Sequence, residues 1–238
     1  MVVRSSEPTY VAPNRLVLDG EDITSWIERA SPAELWFRMI QGRAPQPVEV
    51  RVFNAILCAM ADHGSTPPST QAARLVASTG SGVHCALAAG MMAFGEHHAG
   101  AIEKAMGFFE EINQSGRKPS EVVMEILAER RKIPGFGHRY HTKDPRVEPL
   151  VRLGKNLPNT TFLEMFLEME RALRNLKGIN GNIDGVSGAL LLDMGFVKEA
   201  GRAVFFAGRL PGMVSWIIRE IYSGYFKPYK LCLDAKGA

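Results

Sequence analysis

The sequence predicts a mainly α-helical protein with a short N-terminal β-hairpin and with large and small helical subdomains. Three observations carry that expectation. From residue 31 onwards, apolar side chains recur at helical spacing. Glycine and proline gather between those stretches, at Thr66-Pro67-Pro68, Gly80-Ser81-Gly82, Pro134-Gly135-Phe136-Gly137 and 178–185. The one good strand signal falls within residues 1–30.

In chain order, residues 14–23 form a short β run broken by an Asp19-Gly20 turn. Ser31-Pro32-Ala33-Glu34 reads as an N-cap, a proline at the first helical position and an acidic first turn, and Gly42 should stop that helix. Pro47 opens a second helix, with Val48, Val52, Ala55, Ile56 and Ala59 at helical spacing, ending in Asp62-His63-Gly64. Ser69 is expected to cap a third helix running to Ser78. Residues 82–94 are small and apolar on every side, which predicts a core helix. Further helices are expected over 98–115, 119–131, 145–154, 159–176, 185–194 and 197–222. The expected division is an N-terminal arm (1–30), a large subdomain (31–102 with 197–238) and a small one (103–196).

The 238 residues are 46% hydrophobic and 22% charged, which excludes disorder, collagen and coiled coil. Lys+Arg is 28 against 25 Asp+Glu, so the net charge of +3 gives no case for nucleic acid and suits an anionic small molecule. Cys58, Cys85 and Cys232 sit in apolar surroundings and fit neither a disulfide framework nor a zinc pattern, so they read as buried thiols in a reducing compartment. Residues 1–10 carry no apolar signal region, and the longest apolar run, 83–94, is far shorter than a membrane span. The expected location is the cytoplasm, without membrane or nucleic-acid partners.

Five of the six histidines (His63, His84, His97, His98, His138, His141) lie at or near expected helix ends beside glycine. Side chains there reach clefts, and backbone N–H groups stay available. His84, inside the apolar run, reads as a core histidine, and His97 as structural or solvent-facing. The strongest local signal is Pro134-Gly135-Phe136-Gly137-His138-Arg139-Tyr140-His141-Thr142-Lys143-Asp144-Pro145-Arg146. Its glycines allow close backbone approach to a ligand. An imidazole beside Arg139, Lys143 and Arg146 is a reader of carboxylates. A zinc hydrolase using His138-x-x-His141 is an alternative that ranks last, because there is no carboxylate at ligand spacing and no cysteine, so no metal is expected.

Gly135-Phe136-Gly137-His138 through Asp144-Pro145-Arg146 resembles the signature of the citrate synthase family. Further matches follow the family's chain order. Ala61-Asp62-His63-Gly64 is similar to its Ala-Asp-His-Glu segment, and Ser69-Thr70 to Ala77-Ser78-Thr79 to the helix after it. Gly95-Glu96-His97-His98-Ala99-Gly100-Ala101 resembles Gly-Pro-Leu-His-Gly-Gly-Ala. Asn182-Ile183-Asp184-Gly185 resembles the Asn-Val-Asp motif, and Phe206-Ala207-Gly208-Arg209 followed by Trp216 the late arginine and Gly-Trp helix. Together they cover about residues 31–222. The chain is shorter than a full citrate synthase. It looks more like the compact lyase branch, citryl-CoA lyase and the C-terminal module of ATP-citrate lyase, which Asp62-His63-Gly64 and the glycine after Asp184 favour.

The resemblance implies a citrate-synthase-like helical fold and cleavage of a 3-hydroxy-acyl-CoA to acetyl-CoA and a 2-oxo acid, or the reverse condensation. His138 would face the hydroxyl or keto oxygen. Asp184 would exchange a proton with the acetyl carbon, and His98 would donate to the thioester oxygen. His63, Arg139, Arg146 and Arg209 would bind substrate carboxylates. Coenzyme A, as part of the substrate, would lie against Ile133, Pro134, Gly135, Phe136 and Gly137, with Lys177 near its phosphates.

His98 is absent from the lyase module of ATP-citrate lyase and is a synthase-like feature. The family also takes an arginine from near the partner subunit's C-terminus. After Arg219 this sequence offers only Lys227, Lys230 and Lys236, with Lys227 the one expected to reach over. The implied assembly is a homodimer or higher homo-oligomer, with 82–94 paired across a two-fold axis. Two alternatives stay open: a citrate synthase-type condensing enzyme, and a weakly catalytic CoA- or dicarboxylate-binding homologue.

Overall fold

The computed structural model describes residues 9–139 and 141–224. Lys227, Lys230, Cys232 and Lys236 lie outside them. The N-terminal hairpin gains a strand: β1 (Tyr10–Ala12), β2 (Arg15–Leu18) and β3 (Glu21–Asp22) form an antiparallel sheet in that order. The missed turn at Pro13-Asn14 uses an asparagine with φ of 59°, and Asn tolerates that region. Asp22 ends the sheet by accepting from Thr24 N, which starts α1 (Ile23–Arg29), a helix the sequence did not suggest. Buried Trp26 donates from Nε1 to Leu18 O and ties α1 to the sheet.

Local signals place most helices within two or three residues of expectation. Ser31 accepts from Glu34 N to cap α2 (Pro32–Gln41), and Gly42 ends it in the left-handed region at φ 74°. α3 (Pro47–Met60) opens on a Gln46–Glu49 capping box. α4 (Pro68–Ser78) is preceded by Pro67, so Ser69 is not its cap; it lies inside the first turn and is fully buried. α5 (Val83–Met92), α6 (Ala101–Ser115), α7 (Pro119–Ala128), α8 (Val147–Gly154) and α9 (Thr161–Lys177) follow. α6 starts three residues later than the expected 98. His98 instead closes a turn with Gly95 (His98 N to Gly95 O 3.1 Å), and Ala99 sits at φ 67°. α10 (Ile183–Asp193) is capped by Asn182, and α11 (Lys198–Tyr222) carries Pro211 within its length.

The core helix is α10, not α5. Every residue of α10 except Asp184 is buried, and it packs against α3, α6, α8, α9 and α11. α5 has the same all-round apolar composition, but among the described residues it packs chiefly on α4 and α11 and buries only Ala86 and Gly90. His84 and Cys85 on it are exposed, as is Cys58, which corrects the reading of a core histidine and buried thiols. Met91, Met92, Leu75, Ile218 and Ile221 extend this exposed apolar surface over α4, α5 and α11. Among the described residues no helix is long and apolar enough to cross a membrane.

Candidate functional site

Asn182 fastens the 134–146 loop to the N-terminus of α10. Its Oδ1 accepts from Asp184 N (3.0 Å) and Gly185 N (3.1 Å), while its Nδ2 donates to Gly137 O (2.6 Å). Its own N–H donates to Gly135 O (3.0 Å), and Gly137 N donates to Asn180 O (2.8 Å). Gly135 has φ of 85°, and a Cβ there would lie 2.6 Å from Gly185 Cα. That freedom serves the approach of loop to helix rather than of loop to ligand. Phe136 stacks on Phe166 at 5.3 Å and anchors the loop from below.

Buried Asp144 makes the second fastening. It accepts from Arg146 Nε (2.9 Å), Arg146 Nη2 (2.8 Å) and Ile183 N (3.0 Å). Burial raises its pKa, but the Arg146 hydrogen bonds and Ile183 N–H outweigh it and hold the carboxyl below its ordinary value. Two of the Arg146 donors are therefore engaged within the protein.

These fastenings bring Asp184, His138, Arg139 and Arg146 to one wall of a cleft of about 350 Å³. His63, His98 and Arg209 reach it from elsewhere, so all seven predicted catalytic and carboxylate-binding residues line one space. His63 follows α3. Asp62 Oδ1 accepts from His63 N (2.8 Å), Gly64 N (3.2 Å) and Trp216 Nε1 (3.1 Å), so the indole on α11 braces the His63 turn. Arg209, buried on α11, donates from Nε to Met60 O (2.7 Å) at the end of α3.

His98 stacks on Phe94 at 4.9 Å, and its Nε2 lies 2.9 Å from Ser69 Oγ. Burial, with Arg209 and Arg139 nearby, lowers its pKa to about 4, so the ring is neutral at pH 7. Burial also lowers His138 and His63, helped at His63 by Arg146 and Arg209. His138 Nδ1 accepts from His141 N at 3.2 Å, which puts the proton of the neutral ring on Nε2.

Asp184 is half-buried, and its Oδ1 is sealed from solvent without a hydrogen-bond partner. Burial raises its pKa to about 6 against the pull of Arg146 and Arg209. A carboxyl poised there, facing a neutral imidazole in a cationic cleft, is equipped for proton transfer at carbon.

A second cleft of about 400 Å³ adjoins the first and shares Gly137, His138 and Arg139 with it. Of the five loop residues Ile133 to Gly137, Ile133, Phe136 and Gly137 line it; Pro134 and Gly135 line neither space, and Gly135 packs against Gly185 of α10. Lys177 is exposed at the end of α9 and also lines neither. Besides Arg139, the cations at the second cleft are Arg131 and Lys132, which the sequence did not single out. His97 is exposed but lines the first cleft. His141, which lines neither cleft, stands 4.5 Å from His138 and 6.2 Å from His63, ring centre to ring centre.

Residues 6–226 match the model of the citrate synthase C-terminal domain. Citrate synthase 2 of Bacillus subtilis is 30% identical over 224 residues, covering 92% of this chain and 60% of that protein. Citrate synthase of Acidithiobacillus ferridurans is 31% identical over 235 residues, covering 93% and 60%. The chain thus spans about 60% of the length of these curated relatives. Among solved structures, citryl-CoA lyase of Hydrogenobacter thermophilus superposes with a TM-score of 0.86 at 31% identity, covering 97% of this chain and 91% of that one. Citrate synthase of Thermotoga maritima gives 0.70 at 28%, covering 82% and 55%.

Proposed function

We propose, on the premise that the chain belongs to the citrate synthase family, that it cleaves a 3-hydroxy-acyl-CoA of the citryl-CoA type to acetyl-CoA and a 2-oxo acid. The observation that carries this reading is the meeting of His98, His138, Asp184 and Arg209 in one cleft. The likeness to a citryl-CoA lyase over nearly the whole of both chains supports cleavage in particular.

In this reading His138 turns to the tautomer that carries its proton on Nδ1, and the substrate hydroxyl gives its proton to the freed Nε2 as the C–C bond breaks. The bond's electron pair passes into the acetyl thioester, whose enolate oxygen is held by the N–H of neutral His98. Protonated Asp184 then supplies the proton that makes the methyl group. Arg209, Arg139, His63 and Arg146 take the carboxylates, Arg146 with the donors that Asp144 leaves. The thioester arm lies along the second cleft, with Arg131 and Lys132 beside the coenzyme A phosphates.

One observation favours the condensing direction as a second reading. The resting tautomer of His138 presents an N–H at Nε2, which suits a keto oxygen, whereas cleavage requires that nitrogen free. Incubation with citryl-CoA, followed by detection of acetyl-CoA and oxaloacetate, tests the first reading; acetyl-CoA with oxaloacetate tests the second. A folded protein that turns over neither pair would sink both.

The Asp184 pKa near 6 fixes the sign of the pH response. Cleavage needs the acid, so its kcat/KM should fall as pH rises through about 6. Condensation needs the base, so its kcat/KM should fall as pH drops through about 6. Profiles that show no inflection near 6, or the reverse order, contradict the role.

Ser69→Ala removes the hydroxyl that holds His98. The expected result is a roughly 10- to 100-fold lower kcat, with the apparent affinity for coenzyme A unchanged. An unaltered kcat would mean that Phe94 alone orients the ring.

The proposal includes assembly and subdomain division. The exposed apolar surface of α4, α5 and α11 is the face expected to pair with a second copy. Residues 103–196 form the proposed small subdomain, bearing the second cleft. Light scattering at micromolar concentration should report at least a dimer; a fully active monomer would refute the pairing.

A further inference from the structure

We propose that His63, His138 and His141 together form a binding site for one late-transition-metal ion, of which Zn²⁺ is the representative, and that its occupation blocks the cleft. One ligand nitrogen from each ring lies within 4.8 Å of the others. The rings come from two separate loops, and all three are partly exposed, so an ion can enter from the cleft.

Tetrahedral zinc with Zn–N bonds of about 2.0–2.1 Å needs nitrogens roughly 3.4 Å apart. The nitrogens, within 4.8 Å of one another, must close to that spacing by the rings turning toward a shared ion. His138 Nδ1 is already unprotonated, and an ion there would replace the long 3.2 Å contact from His141 N.

The ligand set also selects the class of ion. It contains three imidazoles and no carboxylate, which suits Zn²⁺, Co²⁺, Ni²⁺ or Cu²⁺ and not the oxygen-seeking Mg²⁺ or Ca²⁺. Arg146 and Arg209 stand near and oppose any cation, but Asp144 pairs with Arg146, and Asp62 and Asp184 face the same region. An ion on His138 Nδ1 would hold the ring's proton on Nε2, where cleavage needs a free nitrogen, and would engage His63, proposed to meet a carboxylate. The blocking half of the inference therefore rests on the proposed function; the binding half does not.

The test uses the untagged, metal-stripped chain titrated with Co²⁺, with visible absorption as the readout. The expected result is one equivalent bound with the intense bands of a tetrahedral site, displaced by Zn²⁺. His141→Asn and His141→Leu keep the backbone N–H that His138 accepts, and each should weaken binding about tenfold or more while retaining the wild-type melting temperature. Absence of binding, or equal binding in wild type and both variants, overturns the site. In parallel, cleavage is assayed at buffered free Zn²⁺. Wild type should lose activity as the site fills, and His141→Asn should need about tenfold or more free zinc for the same loss while keeping its basal rate. Tight binding that leaves activity untouched would retain the metal site and overturn the blockade, together with the placement of substrate on these rings.

Discussion

Asp184→Asn is expected to stop turnover and to stabilise the protein in the same step. Asparagine keeps the shape of the neutral acid and cannot exchange a proton with carbon, so kcat should fall about 10²- to 10⁴-fold with coenzyme A affinity retained. The stability gain follows from the raised pKa. Asp184 moves from 3.8 to about 6 on folding, so at pH 7 the folded state holds a carboxylate it would rather keep protonated. Two pKa units correspond to about 3 kcal/mol, and the neutral amide avoids that cost. Between pH 4 and 6 the folded state binds the extra proton and the unfolded state does not, so wild-type stability falls as pH rises through that window. The advantage of the variant should therefore be full above about pH 6 and vanish below about 4. Thermal melts at pH 4, 5 and 7, beside single-turnover assays, measure both halves. A variant as active as wild type ends the catalytic role; an inactive one with no pH-dependent stability gain ends the account of Asp184 as a group kept at a cost to folding.

The parts of this fold that were legible in the sequence are those set by neighbours along the chain. Ser31, Pro32 and Gly42 bound α2 through capping and backbone conformation alone. The cleft residues were legible because the ordered motifs around His63, His98, His138, Asp184 and Arg209 come to one space.

What escaped depends on tertiary placement. Ser69 had the look of a cap, yet its hydroxyl meets His98, which is 29 residues away. His141 gains its meaning only when the 134–146 loop turns its ring toward His63. Lys177 was singled out by its position in the chain, but α9 ends outside both clefts, and Arg131 and Lys132 line the second. α5 and α10 are both apolar all round. Composition alone cannot tell a helix enclosed by five others from one that exposes its apolar side.

Gly185→Ala should be a damaging small substitution in the site. A methyl group at 185 would land on the carbonyl oxygen of Gly135 and 2.8 Å from a ring carbon of Phe166. Neither neighbour is the loose end of a side chain: one is backbone, and the other is a fully buried ring. Alanine gains about 0.5–1 kcal/mol over glycine within a helix, but overpacking of this kind costs about 1–3 kcal/mol, so a net loss of stability is expected. The larger effect falls on catalysis. To make room, the 134–137 loop must withdraw from α10, which breaks the Asn182 N to Gly135 O bond and disturbs the bond from Asn182 Nδ2 to Gly137 O. Those bonds set the placement of His138 against Asp184. A displacement of about 1 Å is enough to cost roughly 100-fold in rate. Gly188→Ala, one turn along the same buried helix, is the control. Its methyl group would meet Met106 Cγ at 3.2 Å, and a flexible methionine can yield. Gly188→Ala should therefore keep kcat within a few-fold, while Gly185→Ala loses about two orders of magnitude. Equal activity in the two variants would show that the loop-to-helix contact does not govern the spacing of the reacting groups.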